Sequence, residues 1–208
     1  MYLCSRFMRD KILNKASEMF LNLGFKSITM DDIAQEMGVS KKTLYKYYKT
    51  KQSLVESTTT RFHDSCIRTI EEVENKKFNP IKENFEIKKS FKEMFKNATS
   101  SPMYQLRKYY PLIHERIKEK ENVVFSECLK RNIKSGVAQG YYREDINIDL
   151  CTQFYFYLVF SVHENTIEND KIPLIEMETL IYHTRAIATV KGVEELEKQL
   201  EIINKNSY

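Results

Sequence analysis

Three helix-start signals crowd into residues 29–50 of this chain, and they leave that stretch little freedom to be anything but short, closely turned helices. Thr29 is an N-cap residue type, and Asp32 stands three positions on to answer it. Ile28 and Ile33 sit at the two positions of a hydrophobic staple. The spacing predicts a helix from about Met30, with Ile33, Ala34 and Met37 on one face, ending at Gly38, where a left-handed exit costs least. Val39-Ser40 repeats the device, Ser40 as cap and Val39 stapling to Leu44, so a second helix runs from Lys41 to about Tyr48. Thr50 marks a third start with Lys51 in its first turn, where free N–H groups suit a phosphate.

At about 100° per residue, Leu44 and Tyr48 share the packing side of the second short helix. Lys42, Thr43, Lys46 and Tyr47 share the other, with Tyr45 on the flank. Five lysines and no acid lie between Met37 and Lys51. A helix, a glycine turn and a second helix with a cationic outer face form the pattern of a helix-turn-helix, whose second helix enters the major groove. Lys42, Thr43, Lys46 and Tyr47 are the groove candidates. Thr29, Ser40, Lys41, Tyr45 and Lys51 are the phosphate candidates. The plain alternative for these residues is a solvated basic face.

Gly24-Phe25, Ile28-Thr29, Asp32-Ile33-Ala34, Gly38-Val39-Ser40-Lys41, Thr43-Leu44-Tyr45, Tyr47-Tyr48 and Lys51 together resemble the N-terminal domain of TetR/AcrR-type transcriptional regulators. The resemblance covers about the first 55 residues. It departs at Lys42, where the family often carries a small residue, and at Tyr48, where phenylalanine is usual. It implies an all-α protein: an N-terminal three-helix helix-turn-helix domain (1–54) followed by a larger helical-bundle ligand-binding and dimerisation domain (55–208).

The net charge of +4 is carried by the N-terminal part, since residues 1–60 hold ten Lys+Arg against six Asp+Glu and the rest are balanced. A basic head on a neutral body suits a nucleic-acid-binding module joined to another module. Cys4, Cys66, Cys128 and Cys151 show neither paired nor zinc-type spacing, so reduced thiols are expected, with packing favoured over a redox-sensor role for Cys4 or Cys66. No secretory leader is visible, and the longest apolar run, Phe154 to Phe160, falls short of a membrane span of about 20 residues. A cytoplasmic protein without membrane contact is expected.

Met8, Ile12, Leu13, Ala16, Met19, Phe20 and Leu23 recur at helical spacing before Gly24, giving the head its first helix. Beyond the head the breaks fall at Asn79-Pro80, Ser101-Pro102, Gly140 to Asn147 and Asp170 to Pro173, and no strand pair is visible. Helices are predicted at about 51–75, 81–98, 102–119, 122–139, 149–168, 174–190 and 193–204, the first running from head into body without a flexible linker. The segment Asp149–Ile167 is apolar on nearly every side and must be covered on every side. A second copy of the chain, meeting this helix and the one after it, supplies that cover. Phe156, Phe160, His163 and Ile181 are the interface candidates, and burial within one subunit is the alternative. Met94, Met103, Tyr109, Tyr110, Phe125 and Phe154 are candidates for a ligand cavity, against the alternative of ordinary core.

The histidines His63, His114, His163 and His183 are scattered, and no nucleophile motif or phosphate-binding glycine loop is present, so no enzyme and no cofactor is expected. The expected function is a DNA-binding transcriptional regulator, a homodimer on a pseudo-palindromic double-stranded operator, acting as a repressor released by an unidentified small-molecule effector. The alternative is a helical ligand-binding or assembly protein whose head meets another protein. Its weakness is the lysine-rich outer face, because protein interfaces usually deplete lysine.

Overall fold

The computed structural model describes residues 2–98, 101–165 and 170–206, and among these the chain is helical throughout. Ten helices follow in order among the described residues: α1 (Tyr2–Leu23), α2 (Met30–Glu36), α3 (Lys41–Tyr47), α4 (Lys51–Glu74), α5 (Pro80–Met94), α6 (Pro102–Tyr109), α7 (Pro111–Ala138), α8 (Ile148–Asn165), α9 (Ile172–Ile187) and α10 (Val190–Asn206).

The start signals of the head act as the residues dictate. Thr29 Oγ1 accepts from the Asp32 N–H at 3.1 Å, and Asp32 Oδ2 accepts from the Thr29 N–H at 2.8 Å, a closed capping box. At the far end of α2, Gly38 (φ 63°) lets its N–H reach the Gln35 carbonyl and the Val39 N–H reach the Ala34 carbonyl, both at 3.0 Å. That is a Schellman stop, and it aims the chain into Ser40, whose Oγ accepts from the Thr43 N–H at 3.1 Å. Ile12, Phe20, Phe25, Ile33, Leu44 and Leu54 close into one buried core over α1 to α4. Each such side chain contributes about 1.5–3 kcal/mol of apolar burial.

Two body residues, Leu106 of α6 and Ile113 of α7, belong to that same head core. A second core joins α5, α7, α9 and α10 through Ile81, Ile133, Leu180 and Leu196. Helix α8 packs between α7 and α9.

Proline sets most of the body's helix starts: Pro80, Pro102 and Pro111 each occupy a first-turn position, after Asn79, Ser101 and Tyr110. The expectation of separate helices at 102–119 and 122–139 is corrected. The break falls at Tyr110-Pro111 instead, because proline restricts the residue before it. The stretch Glu119–Asn122 contains neither proline nor glycine, so α7 runs through it unbroken. Helix α9 begins at Ile172 and α10 at Val190, both a little earlier than expected, and residues 166–168 of the expected 149–168 helix lie outside the described residues.

Candidate nucleic-acid interface and internal cavity

Helix α3 buries Leu44, and Tyr48 just beyond it is buried under the Arg9 guanidinium, 5.0 Å above the ring. With those two anchored, Lys42, Tyr45 and Lys46 face outward and are exposed. Lys42 and Lys46 make no ion pair among the described residues, so both ammonium groups are open to an anion. Thr43 is half-buried, its Oγ1 2.8 Å from Ser40 Oγ, which fixes its rotamer.

Three of the expected DNA-facing residues are less free than their sequence positions suggest. Lys41 is exposed but pairs with Asp31 of α2, and that contact raises its pKa. Tyr47 is half-buried against the head core. Lys51 is half-buried, its ammonium donates to the Lys26 carbonyl at 3.1 Å, and burial lowers its pKa. Lys51 is thus a tie across the head, and its phosphate role would rest on backbone N–H groups. Thr29 and Ser40 are exposed, but their hydroxyls serve the caps described above.

The body encloses a cavity of about 610 Å³ bounded by α4 to α9. This lies within the range of small-molecule sites, about 300–1,000 Å³. Its walls are chiefly apolar and aromatic, with Phe62 and Ile70 from α4, Phe91 from α5, and Phe125 from α7 stacked edge-to-face on Phe91 at 6.1 Å. Helix α6 supplies Pro102, Met103 and Leu106.

Of the ligand candidates, Met103 and Phe125 line this cavity, and Met94, Tyr109, Tyr110 and Phe154 do not. Tyr110 is turned to the head, edge-on to Phe25 at 6.5 Å. Tyr109 lies under the ammonium groups of Lys26 and Lys108. Phe154 is 59% exposed on the outside of α8. Of the interface candidates, Phe156 and Phe160 are buried within the chain and, with His163, line the cavity, while Ile181 packs against the second core. The outward side of the α8–α9 pair carries Phe154, Tyr157, Leu174 and Tyr182 instead, the last 69% exposed.

Apart from His163, the polar cavity residues escaped the sequence reading. Glu176 Oε1 lies 2.6 Å from His163 Nε2 and 3.4 Å from Lys88 Nζ. Burial alone would raise Glu176, but those two partners outweigh it and keep it ionised, while burial pulls Lys88 down. Elsewhere in the wall, Asn132 Nδ2 donates to Glu83 Oε1 at 2.6 Å and to the Pro80 carbonyl at 2.9 Å. Glu121 of α7 also lines the cavity. Burial pushes the Cys66 thiol up to about 12, which removes the thiolate a redox sensor needs; the side chain of Cys4 lies outside the described residues.

Head and cavity meet at α6. Leu106 belongs to both the head core and the cavity wall, and the adjacent Gln105 accepts the Phe25 N–H on its Oε1 at 2.7 Å. Gly24, with φ 89°, lies directly beneath that amide, where a Cβ would stand 2.8 Å from Oε1.

The family model for bacterial regulatory proteins of the tetR family matches residues 12–58, the stretch that builds the head. The HTH-type transcriptional repressor KstR2 of Mycolicibacterium smegmatis is 26% identical over 149 residues, spanning 70% of this chain and 73% of the relative. The biofilm operon negative transcriptional regulator IcaR of Staphylococcus aureus is 35% identical over 51 residues, 24% of this chain and 27% of its own. Among solved structures, a transcriptional regulator from Cytophaga hutchinsonii superposes with a TM-score of 0.68 at 19% identity, over 86% of this chain and 98% of that one. No helix of the described residues is long and apolar enough to cross a membrane.

Proposed function

From the premise that this chain is a TetR-type transcriptional regulator, a DNA-binding protein and not an enzyme, we propose that it represses transcription as a homodimer and leaves its operator when a small molecule fills the α4–α9 cavity. The observation that carries the DNA part is the outward face of α3, where Lys42 and Lys46 stand exposed and unpaired while Leu44 is buried behind them. Lys42, Thr43 and Lys46 read the groove in this proposal, and Ser40, Lys41 and Tyr45 meet phosphates. The relatives named above are a repressor and a negative regulator, which supports the sign of the regulation.

TetR-family regulators act as dimers, and the occupant we assign to the exposed α8–α9 face is a second copy of this chain. Phe154, Tyr157, Leu174 and Tyr182 would then be covered, as large exposed apolar side chains on adjoining helices require. Two heads set about 34–36 Å apart engage successive major grooves on one face of DNA, so the operator is expected to be a pseudo-palindrome. The reading divides the chain at the start of α4, with the head before it and the cavity and dimer face after it, and places the protein with its DNA in the cytoplasm.

Release works only if the ligand prefers the state that does not fit DNA. Gln105 and Leu106 give such a preference a route, because a cavity that reshapes α6 moves the groups holding the α1–α2 loop. A gel-shift titration with the promoter DNA beside its own gene, at two salt concentrations, tests the proposal. A specific complex that weakens with salt is expected; its absence would favour a head that meets protein.

A further inference from the structure

Almost every buried charge in the cavity wall has a partner. Glu74 holds Arg131 at 2.8 Å, Glu83 takes the Asn132 amide, and Lys88 and His163 share Glu176. The exposed Lys96 at the rim pairs with Glu93. Glu121 differs. Among the described residues no hydrogen bond or ion pair reaches its carboxyl, and burial is the sole influence on its titration. It keeps some open surface because it faces the void, not because water surrounds it.

Its setting is apolar. Ile117 and Phe125 lie one turn to either side on α7 and line the same cavity, and across the gap on α4 stands the neutral thiol of Cys66, which Glu121 helps to keep protonated. A lone carboxyl in such a wall wants a donor that the described residues do not supply. A hydroxyl would satisfy it in part. A cation gains more, because in a low-dielectric site a charge-assisted hydrogen bond is roughly twice as strong as a neutral one. An anion gains least, because it brings no donor to the carboxylate and disfavours the ionised form.

We propose that Glu121 is the polar anchor of the cavity and that the effector is a lipophilic amine, its protonated nitrogen on the Glu121 carboxylate and its apolar body among Phe62, Phe91, Ile117 and Phe125. Without a ligand, burial pushes this carboxyl up to about 8, so it is largely protonated near neutrality, and an ammonium group restores its ionised form. Phe125, one turn along α7, and Phe91 of α5, set edge-to-face with it, add aromatic surface for the same cation. This inference rests on the reading of the cavity as the effector site.

The test uses the full-length protein and three probes of equal chain length: decylamine, 1-decanol and decanoate. Calorimetric titration is expected to rank decylamine at least about tenfold tighter than decanol, with decanoate weakest. In Glu121→Gln the advantage of the amine is expected to fall below about threefold while decanol binding stays within about twofold, which also shows that the variant is folded. In Glu121→Leu decanol is expected to become the better ligand. An amine that binds no tighter than decanol, an advantage that survives Glu121→Gln, or no amine binding at all overturns the assignment. Decanol that frees operator DNA without any advantage for the amine overturns the role of Glu121 and leaves the effector cavity standing. A Glu121-dependent amine preference that leaves operator affinity unchanged supports the anchor and refutes the effector reading.

Discussion

The joint between cavity and head is small enough to be tested as a unit with a double-mutant cycle on Gln105 and Gly24. Gln105→Ala removes the acceptor of a buried N–H at 2.7 Å, which costs about 1–3 kcal/mol in an unpaired amide. Gly24→Ala forces a Cβ to within 2.8 Å of Gln105 Oε1 at a φ of 89°, so it both displaces that acceptor and strains the backbone. The strain costs about 1–2 kcal/mol, and loss of the hydrogen bond adds a similar amount. In the Gln105→Ala background the clash and the bond are both gone, and Gly24→Ala should cost the strain alone. The two changes are therefore expected to be less than additive by about 1–2 kcal/mol, where independent sites agree within about 0.5. Urea unfolding at one fixed protein concentration measures all four corners, the concentration being held because a dimer's stability depends on it. Additive effects would show that Gln105 does not hold the loop, and the route from cavity to head would have to run elsewhere.

Lys46→Ala is expected to weaken binding to all DNA and to flatten the log–log salt dependence by about 0.9 for each phosphate it no longer neutralises, about twice that per dimer; fluorescence anisotropy at several salt concentrations measures it, and an unchanged slope contradicts an outward role. Thr43→Ala is expected instead to alter base preference, at about 1–3 kcal/mol at the position it reads, in a competition assay against a randomised operator. Phe154→Asp places a charge in the α8–α9 face and is expected to give monomers in sedimentation and at least about tenfold weaker operator binding, whereas an intact, fully active dimer would move the interface elsewhere. His183, its ring tilted against that of Tyr155 with centroids 4.4 Å apart, is held neutral by burial, its pKa pulled down from 6.5 to about 4. The folded chain binds fewer protons there, so this share of stability is complete above about pH 6.5 and lost as pH falls toward 4, up to about 3 kcal/mol. His183→Phe should make the urea midpoint fall less between pH 7 and pH 5, and an identical fall would count against the buried imidazole.

The head was legible because its signals are local. Thr29, Asp32, Gly38 and Ser40 specify their own backbone through contacts at most a few residues apart, and the structure realises each of them. The body depends on which side of a helix meets which neighbour, and there residue type says less. Phe154 and Phe156 stand two positions apart on a helix that is apolar on nearly every side, yet one is exposed and the other walls the cavity. Periodicity alone cannot choose between those sides when nearly every position is apolar. The break before Pro111 carried a readable signal, since the residue ahead of a proline leaves the helix region. Glu121 carried one too: an acid centred between Ile117 and Phe125 at four-residue spacing interrupts an apolar stripe.

Helix α4 explains how a change in a cavity of this size can matter to DNA. Its first turns place Leu54 and Val55 in the head core, and its later turns place Cys66 and Ile70 in the cavity wall. A helix of 24 residues is about 36 Å long, so a tilt of about 5° at the cavity end carries the head by about 3 Å. Two heads moving apart in a dimer double that to about 6 Å, against a groove repeat of about 34–36 Å. Reading helices are held to their grooves by contacts made within hydrogen-bonding distance, and no such contact survives a shift of that size. An effector therefore need not unfold anything or touch the head. In the proposed release it would favour one tilt of α4 over another, with α6, tied to the α1–α2 loop through Gln105 and Phe25, as a second link between cavity and head.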